Sequence, residues 1–367
     1  MEYLNNCQSY VGGTGLAANS PLYRKFLSKY IFAPLGLLLL AFSAYKFWDT
    51  NNDIFLIMEV LESISTLTQL MIRKYLIFVH SNLILEIFND CYNLWPFDLF
   101  GPELEKKFKK QMKNCWTLAQ FLITCGFVTI FITCVSALTD EEKSLPFICW
   151  VPNLPYATEL IFLSQYILLT IVLYYILLTD GFYLLVCMDI KIQYKMMRKM
   201  LKSIKFRIIS EKESWEKLVE LAKHHNKMLM LHKKLNKVFS KYFLVQYAMS
   251  VSAITVQAYT LKYSQVTIEI EIKSIFYTVS ILFQVALYFF PASNVEIEAE
   301  KLSTAIYFLN WQDYGNVKIR HHILFMLLKS QQKLEMRGGG MLHINRNEYL
   351  MMFRLALTIA TLLGNLN

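Results

Sequence analysis

No phosphate-cradling loop, nucleophile elbow, paired-acid signature or CxxC spacing occurs anywhere in this sequence, so enzyme chemistry has little support in it. Its seven cysteines, Cys7, Cys91, Cys115, Cys125, Cys134, Cys149 and Cys187, are scattered, which argues against a zinc site or a compact disulfide framework. Cys134 and Cys149 flank the outer end of the third apolar segment, where one pair is possible, but buried thiols are the favoured reading. His224, His225 and His232 lack a carboxylate or cysteine at ligand spacing and read as packing or surface histidines; no metal or other cofactor is expected. Charge is also scarce, at 18% of 367 residues, too little for the two or three soluble domains that this length would otherwise suggest.

What fills the chain instead is apolar: 55% of residues are hydrophobic and 15% aromatic, and mean hydropathy is +0.34. A helix needs about 20 apolar residues to cross a hydrocarbon core about 30 Å thick. Seven such stretches are present, at about 31–48, 54–79, 116–138, 159–188, 242–261, 273–291 and 347–364. The expected fold is an all-α membrane protein with seven transmembrane helices in one domain over 1–367. The first run follows Arg24, Lys25 and Lys29 without a convincing cleavage site, so it is expected to stay as the first span.

Positive charge gathers on one side of these spans, and that asymmetry sets orientation. One side carries Arg24, Lys25 and Lys29, the run Lys106, Lys107, Lys109, Lys110 and Lys113, the basic stretch from Lys191 to Lys241, and the cluster from Lys301 to Arg346. The other side carries Asp49, Asp53, "TDEEKS" at 139–144 and a balanced link around Glu269 and Glu271. The expectation is a cytoplasmic amino terminus (1–30) and, after seven crossings, an extracellular carboxyl terminus, opposite to a G-protein-coupled receptor. The net charge of +9 then reflects basic loops facing anionic lipid and requires no nucleic acid.

From 159 to 209 there is no proline and only Gly181 interrupts the helical pattern, enough for a helix of about 75 Å at 1.5 Å per residue. From Ser214 to Leu261 the pattern is amphipathic before it becomes wholly apolar. Leu218, Leu221, His225, Met228, Leu231, Leu235 and Val238 recur every three or four residues, a stripe that needs a partner. Cytoplasmic anchor parts at 189–241 and 292–346 are expected, packing together within the subunit and between subunits. The segment "KSIKFRIISEKES" at 202–214 reads as a solvated turn.

The last third carries a specific order: Ser303, Ala305 to Tyr307 and Trp311, then Ser330 and Gln331 at the end of a basic amphipathic helix. A glycine turn at Gly338 to Gly340 follows, then Phe353 and Arg354, and a closing Thr361, Leu362 and Leu363. This resembles the insect odorant receptors. The specific motifs occupy about the last 90 residues, while weaker similarity runs upstream through "LTDGFYLLVCMDIKIQYKMM". There Asp180 precedes Gly181, a departure from the family's G-x-D order. The gustatory receptors, the related alternative, usually close on T-Y, a hydrophobic run and Q-F, where this chain has "TIATLLGNLN".

The resemblance implies a ligand-tuning subunit that assembles with a shared co-receptor as a heterotetrameric, odorant-gated, nonselective cation channel in the plasma membrane of olfactory dendrites. It also implies a pore helix over 347–367. There Arg354, Thr358, Thr361 and Asn365 fall at i, i+4, i+7 and i+11 on one face, and pore lining and interhelical packing both suit such a face. The family's gate corresponds to Leu362, with a second apolar position at Leu366, and hydrophobic constrictions close by dewetting. The implied odorant pocket, in the outer half of spans two, three, four and six, corresponds to Met58, Phe127, Phe131, Phe162, Tyr166, Phe276 and Tyr277. For each of them ordinary core packing is the favoured reading, because aromatic residues at helical spacing fill any membrane bundle; Tyr166 and Tyr277 are the better candidates for ligand contact. A small-solute transporter is a competing class, but the internal repeats typical of one are not evident.

Overall fold

The computed structural model describes residues 32–49, 54–139, 145–204, 210–263, 268–309, 311 and 316–365. The amino-terminal segment 1–30, most of the "TDEEKS" loop and Leu366 lie outside the described residues. The helices are α1 (Phe32–Asp49), α2 (Ile54–Val79), α3 (Ser81–Tyr92), α4 (Pro102–Thr139), α5 (Ala157–Ser203), α6 (Glu211–Tyr263), α7 (Ile268–Tyr307), α8 (Val317–Ser330) and α9 (Arg346–Asn365). A short hairpin of β1 (Arg337–Gly338) and β2 (Leu342–His343) precedes α9. Each of the seven predicted spans falls in one helix: α1, α2, α4, α5, α6, α7 and α9.

The helix ends follow local chemistry. Gly101 takes φ 97°, which a side chain would oppose, and Pro102 then opens α4 where its missing N–H costs nothing. Glu103 and Glu105 sit in that first turn, against the positive end of the helix dipole. At the start of α6 the Ser210 hydroxyl accepts from the Glu213 amide at 3.3 Å. The Asn316 side chain accepts from Lys318 N in the same way to begin α8.

At 47, 53 and 40 residues, α5, α6 and α7 exceed a membrane's thickness. Helix α7 continues through Pro291, whose ring removes one donor and leaves the Leu287 carbonyl without its usual partner. Two apolar clusters fill the bundle. The larger one runs along α5, α6 and α7 and holds Phe182, Tyr183, Phe239, Phe243, Tyr288 and Phe289. The smaller one joins α1, α2, α4 and α5 through Leu39, Leu67, Ile130, Ile161 and Leu168. Cys134 and Cys149 belong to it as buried free thiols.

Where the helices are most apolar they are also most open. The long apolar windows within Pro102–Ile132 and Ser274–Tyr307 are only 18% and 22% buried. A soluble core helix buries such a surface, whereas lipid accepts it. The stripe Leu218, Leu221, His225, Met228, Leu231, Leu235 and Val238 is buried throughout, so this chain itself supplies the partner that the periodicity demanded. Within that packed region His224 stacks on Trp95, ring centroids 3.8 Å apart, and its Nε2 lies 3.0 Å from Gln193 Oε1.

Candidate functional site

Three features of the bundle combine buried polar groups with open apolar faces. The first is the end of the bundle that carries the segment 145–150. The Gln165 side chain, 1% exposed, holds the backbone of Phe147 from both sides: it accepts from the amide and donates to the carbonyl, each at 3.0 Å. The Trp150 amide donates to the Phe42 carbonyl at 3.1 Å, and its ring meets Phe42 and Tyr45 edge-on. The segment 145–150 is thereby tied to α1 and α5. The Ile148 amide adds a bond to Ser63 on α2.

Of the residues assigned from the sequence, only Phe162 is seen to pack beside this segment. Phe162 is half-buried and packs on the smaller apolar cluster. Tyr277 is half-buried on α7. Tyr166 and Phe127 are more open, and Phe131 and Phe276 are 67% and 70% exposed. The Met58 side chain lies outside what is described. The structure thus brings Phe162 against the cluster under the tethered segment and leaves Phe131 and Phe276 facing outward.

The second feature was not anticipated. Arg73 of α2, Asp180 of α5, Tyr242 of α6 and Tyr288 of α7 are 3%, 4%, 3% and 1% exposed, and they meet. The Tyr242 hydroxyl donates to Asp180 Oδ1 at 2.7 Å and lies 2.5 Å from the Tyr288 hydroxyl. The Arg73 guanidinium sits over the Tyr242 ring, 4.8 Å from its centroid. With the Gln284 amide turned so that its oxygen faces Arg73, that oxygen accepts from both terminal guanidinium nitrogens, at 3.2 and 3.3 Å. One turn along the helices, Gln69 donates to Gln246 at 2.6 Å and Gln246 to Ser250 at 3.0 Å.

A cation and an anion inside an apolar bundle are tolerable only when they face each other through such bonds. The sequence does carry their signal: Ser65, Gln69 and Arg73 on α2, Tyr242, Gln246 and Ser250 on α6, and Gln284 and Tyr288 on α7 recur every fourth residue within apolar runs. Each set is a polar stripe facing the other two.

The third feature is α9. Met352, Ala356 and Ala360 are 0%, 0% and 3% exposed, and the Thr255 hydroxyl of α6 donates to the Ala356 carbonyl at 3.3 Å. The opposite side carries Met351, Leu355, Thr358 and Leu362, all exposed, Leu362 by 58%. The Thr358 and Thr361 hydroxyls donate to the carbonyls of Arg354 and Thr358 at 2.9 and 2.8 Å. The Asn365 side chain lies outside what is described.

The base of α9 is latched to two neighbours. Gly339, with φ 59°, donates its amide to the Ser240 carbonyl of α6 at 2.9 Å, two residues from Tyr242. A Cβ there would lie 2.6 Å from Leu244 Cδ2, so any other residue would have to displace the end of that side chain as well as hold a left-handed backbone. On α7, the Leu282 carbonyl accepts from the Tyr349 hydroxyl at 3.2 Å, and the Tyr349 ring rests against Phe289 and Phe290.

The family model described as 7tm Odorant receptor matches residues 53–357. Curated proteins yield no match to the chain. Among solved structures, the insect olfactory receptor OR5 from Machilis hrabei superposes with a TM-score of 0.78 at 14% identity, covering 100% of this chain and 98% of that chain. OR5 in complex with eugenol gives a TM-score of 0.78 at 15% identity with the same coverage. At these identities the superpositions establish a common fold.

Proposed function

Because this chain belongs to the insect odorant receptor family, we propose that it is the ligand-tuning subunit of an odorant-gated, nonselective cation channel, assembled with a co-receptor subunit in the plasma membrane of olfactory dendrites. Its amino terminus is cytoplasmic and its α9 lines the ion path, with Thr358, Thr361, Leu362, Asn365 and Leu366 along the pore. The observation that carries this reading is the orientation of α9. Its small residues are spent on the subunit's own bundle, while the Leu355–Thr358–Leu362 side is turned away from it. In an assembly that side meets water, ions or its counterparts, and an apolar ring there closes by dewetting.

The ligand is a small volatile molecule held in the outer half of the bundle. Most of its affinity comes from burial of apolar surface, about 25 cal/mol per Å², and its orientation from a single polar group. Phe162 and Tyr277 form the inner wall; Met58, Phe127, Phe131, Tyr166 and Phe276 complete the site. Binding opens the channel to the extent that the ligand prefers the open arrangement. The two latches at the base of α9 supply a route, because α6 and α7 cannot shift without carrying Gly339 and Tyr349 with them.

The test is co-expression with the co-receptor and recording of odorant-evoked currents. Leu362→Ala is expected to raise the current in the absence of odorant, and Asn365→Asp to alter rectification or blocker sensitivity. Phe162→Ala and Tyr277→Phe are expected to shift dose–response curves without changing ion selectivity. Wild-type behaviour of both α9 variants would refute a pore-lining role for this chain, and unchanged potency in both pocket variants would refute the site.

A further inference from the structure

A second binding surface lies at the end of the bundle opposite the outer loop, where α4 and α5 pack antiparallel. Their register is visible in three steps. Gly181 faces Ala119, whose Cβ would be 3.3 Å from a Cβ at that glycine. The Lys191 ammonium acts on the Cys115 thiol, and Lys195 Nζ donates to Gln111 Oε1 at 3.4 Å. Continued past these points, the pairing brings the lysine run of early α4 alongside the basic end of α5.

The two segments are unevenly charged. Residues 102–113 carry Lys106, Lys107, Lys109, Lys110 and Lys113 against Glu103 and Glu105, and residues 191–202 carry Lys191, Lys195, Arg198, Lys199 and Lys202 with no acid among them. Glu105 is taken by Lys109 at 2.6 Å, and Glu298 of α7 is taken by Arg198 and Lys301. Among the described residues Lys106, Lys107, Lys110, Lys113, Lys191 and Lys199 have no carboxylate partner. The surplus is felt locally. Burial lowers the Lys195 ammonium, and Lys191, Lys107 and Arg198 push it further down while Glu298 opposes them.

A solvated lysine run scattered over a helix needs no ligand. Here two runs converge on one helix pair that enters the apolar span at Trp116, within a turn of Lys113. Clusters of four to eight basic residues just beyond a membrane helix attract anionic headgroups, each contributing about 1 kcal/mol. Six unpaired ammonium groups in two adjacent segments match a headgroup bearing several phosphate charges better than one bearing a single net charge.

We propose that the α4–α5 lysine face, centred on Lys107, Lys195 and Lys199, binds the headgroup of a polyphosphorylated inositol lipid in the inner leaflet. Of the reading above it uses only the topology, in which this face is cytoplasmic. Such a lipid would brace the membrane-exit ends of α4 and α5 against each other.

The experiment titrates the full-length chain, purified in a zwitterionic detergent, with fluorescent dioctanoyl phosphatidylinositol 4,5-bisphosphate; dioctanoyl phosphatidylserine and inositol hexakisphosphate serve as the other arms. The triple variant Lys107→Gln/Lys195→Gln/Lys199→Gln should bind the phosphoinositide at least tenfold more weakly than wild type. Lys217→Gln/Lys223→Gln/Lys227→Gln on α6, with the same charge removed, should stay within twofold. Arginine at the three patch positions should preserve binding, showing that charge and not folding is the cause. The proposal is overturned by a triple variant within twofold of wild type, by loss of binding in the arginine variant, by phosphatidylserine binding as tightly as the phosphoinositide, or by binding of inositol hexakisphosphate alone. No odorant or current enters the readout, so failure of the channel reading shows up separately.

Discussion

Tyr242 of α6 and Asp180 of α5 lie 2.7 Å apart, hydroxyl to carboxylate, across 62 residues of sequence. The contact sits within a group that also holds Arg73 and Tyr288, so four helices meet at one buried, charge-balanced point. The Gly339–Ser240 latch of the hairpin before α9 is two residues away on the same helix. Disturbance of that point therefore reaches α2, α5, α6 and α7 and the base of α9.

Removal of one charge strands the other. Asp180→Leu is expected to cost about 3–5 kcal/mol, because Arg73 stays buried without its counter-charge. Arg73→Met combined with Asp180→Leu should recover much of the loss, since an apolar pair of similar volume needs no compensation. Thermal stability of the detergent-solubilised receptor, followed by size-exclusion chromatography after heating, distinguishes the two. A double variant less stable than Asp180→Leu would show that the charges are not paired through Tyr242.

The hairpin latch separates backbone from side-chain effects. Gly339→Ala meets Leu244 and also places a Cβ in the left-handed region, where the backbone alone costs about 1–2 kcal/mol. Leu244→Ala in the same chain removes the clash but not the backbone penalty. Gly339→Ala should reduce odorant-evoked current at unchanged surface labelling, and the double variant should restore only part of it. Full restoration would mean that sterics alone require the glycine.

Opposite sides of α9 should respond differently. Ala356→Leu overpacks the face against α6 and is expected to cost about 1–3 kcal/mol, seen as lowered thermal stability and surface expression. Leu362 lies open on the single chain, so Leu362→Ser should leave both within about 0.5 kcal/mol while altering conduction. Equal loss of expression in the two variants would place Leu362 in the subunit's own core.

Acid should weaken the region around α5 and α6. Burial pushes His224 down to about 3, helped by the Lys227 and His225 charges, and holds His225 and His232 at about 4, against an ordinary 6.5. The unfolded chain then binds more protons once pH falls below about 6.5, so stability drops as pH falls from 6.5 toward 4. Asp189 opposes this: burial raises its carboxyl from 3.8 to about 6, and the folded state gains that proton first, offsetting one histidine between about 6 and 3.8. These four groups together favour the folded state less as pH falls from about 5.5 to about 4, where His225 and His232 begin to protonate in place. The midpoint of thermal unfolding should be flat above pH 7 and fall below pH 6, less steeply in His224→Gln. A midpoint that rises on acidification would contradict neutral, buried histidines.

Much of this architecture is legible in one dimension because the bilayer simplifies the problem. Apolar length alone separates α1, α2, α4, α5, α6, α7 and α9, since a spanning segment must satisfy its backbone within itself. The absence of proline through 159–209 and the stripe from Leu218 to Val238 likewise foretell long helices with a buried face. The glycine turn at 338–340 is visible as composition, although its docking on Ser240 is not. The polar stripes of α2, α6 and α7 were also present in the sequence, but each resembles an isolated concession to polarity until its partners are known.

What the sequence by itself determined was the class of solvent, the number of crossings and which residues share a helical face, because these depend on composition and on a 3.6-residue period. Which face meets which neighbour was decided only in three dimensions. Arg73 is tolerable because Asp180, more than a hundred residues away, arrives opposite it, and Leu362 faces outward because Met352, Ala356 and Ala360 offer α6 the closer fit. Long-range charge pairing and close packing have no sequence period, so the tertiary structure alone chooses among the faces that the helices present.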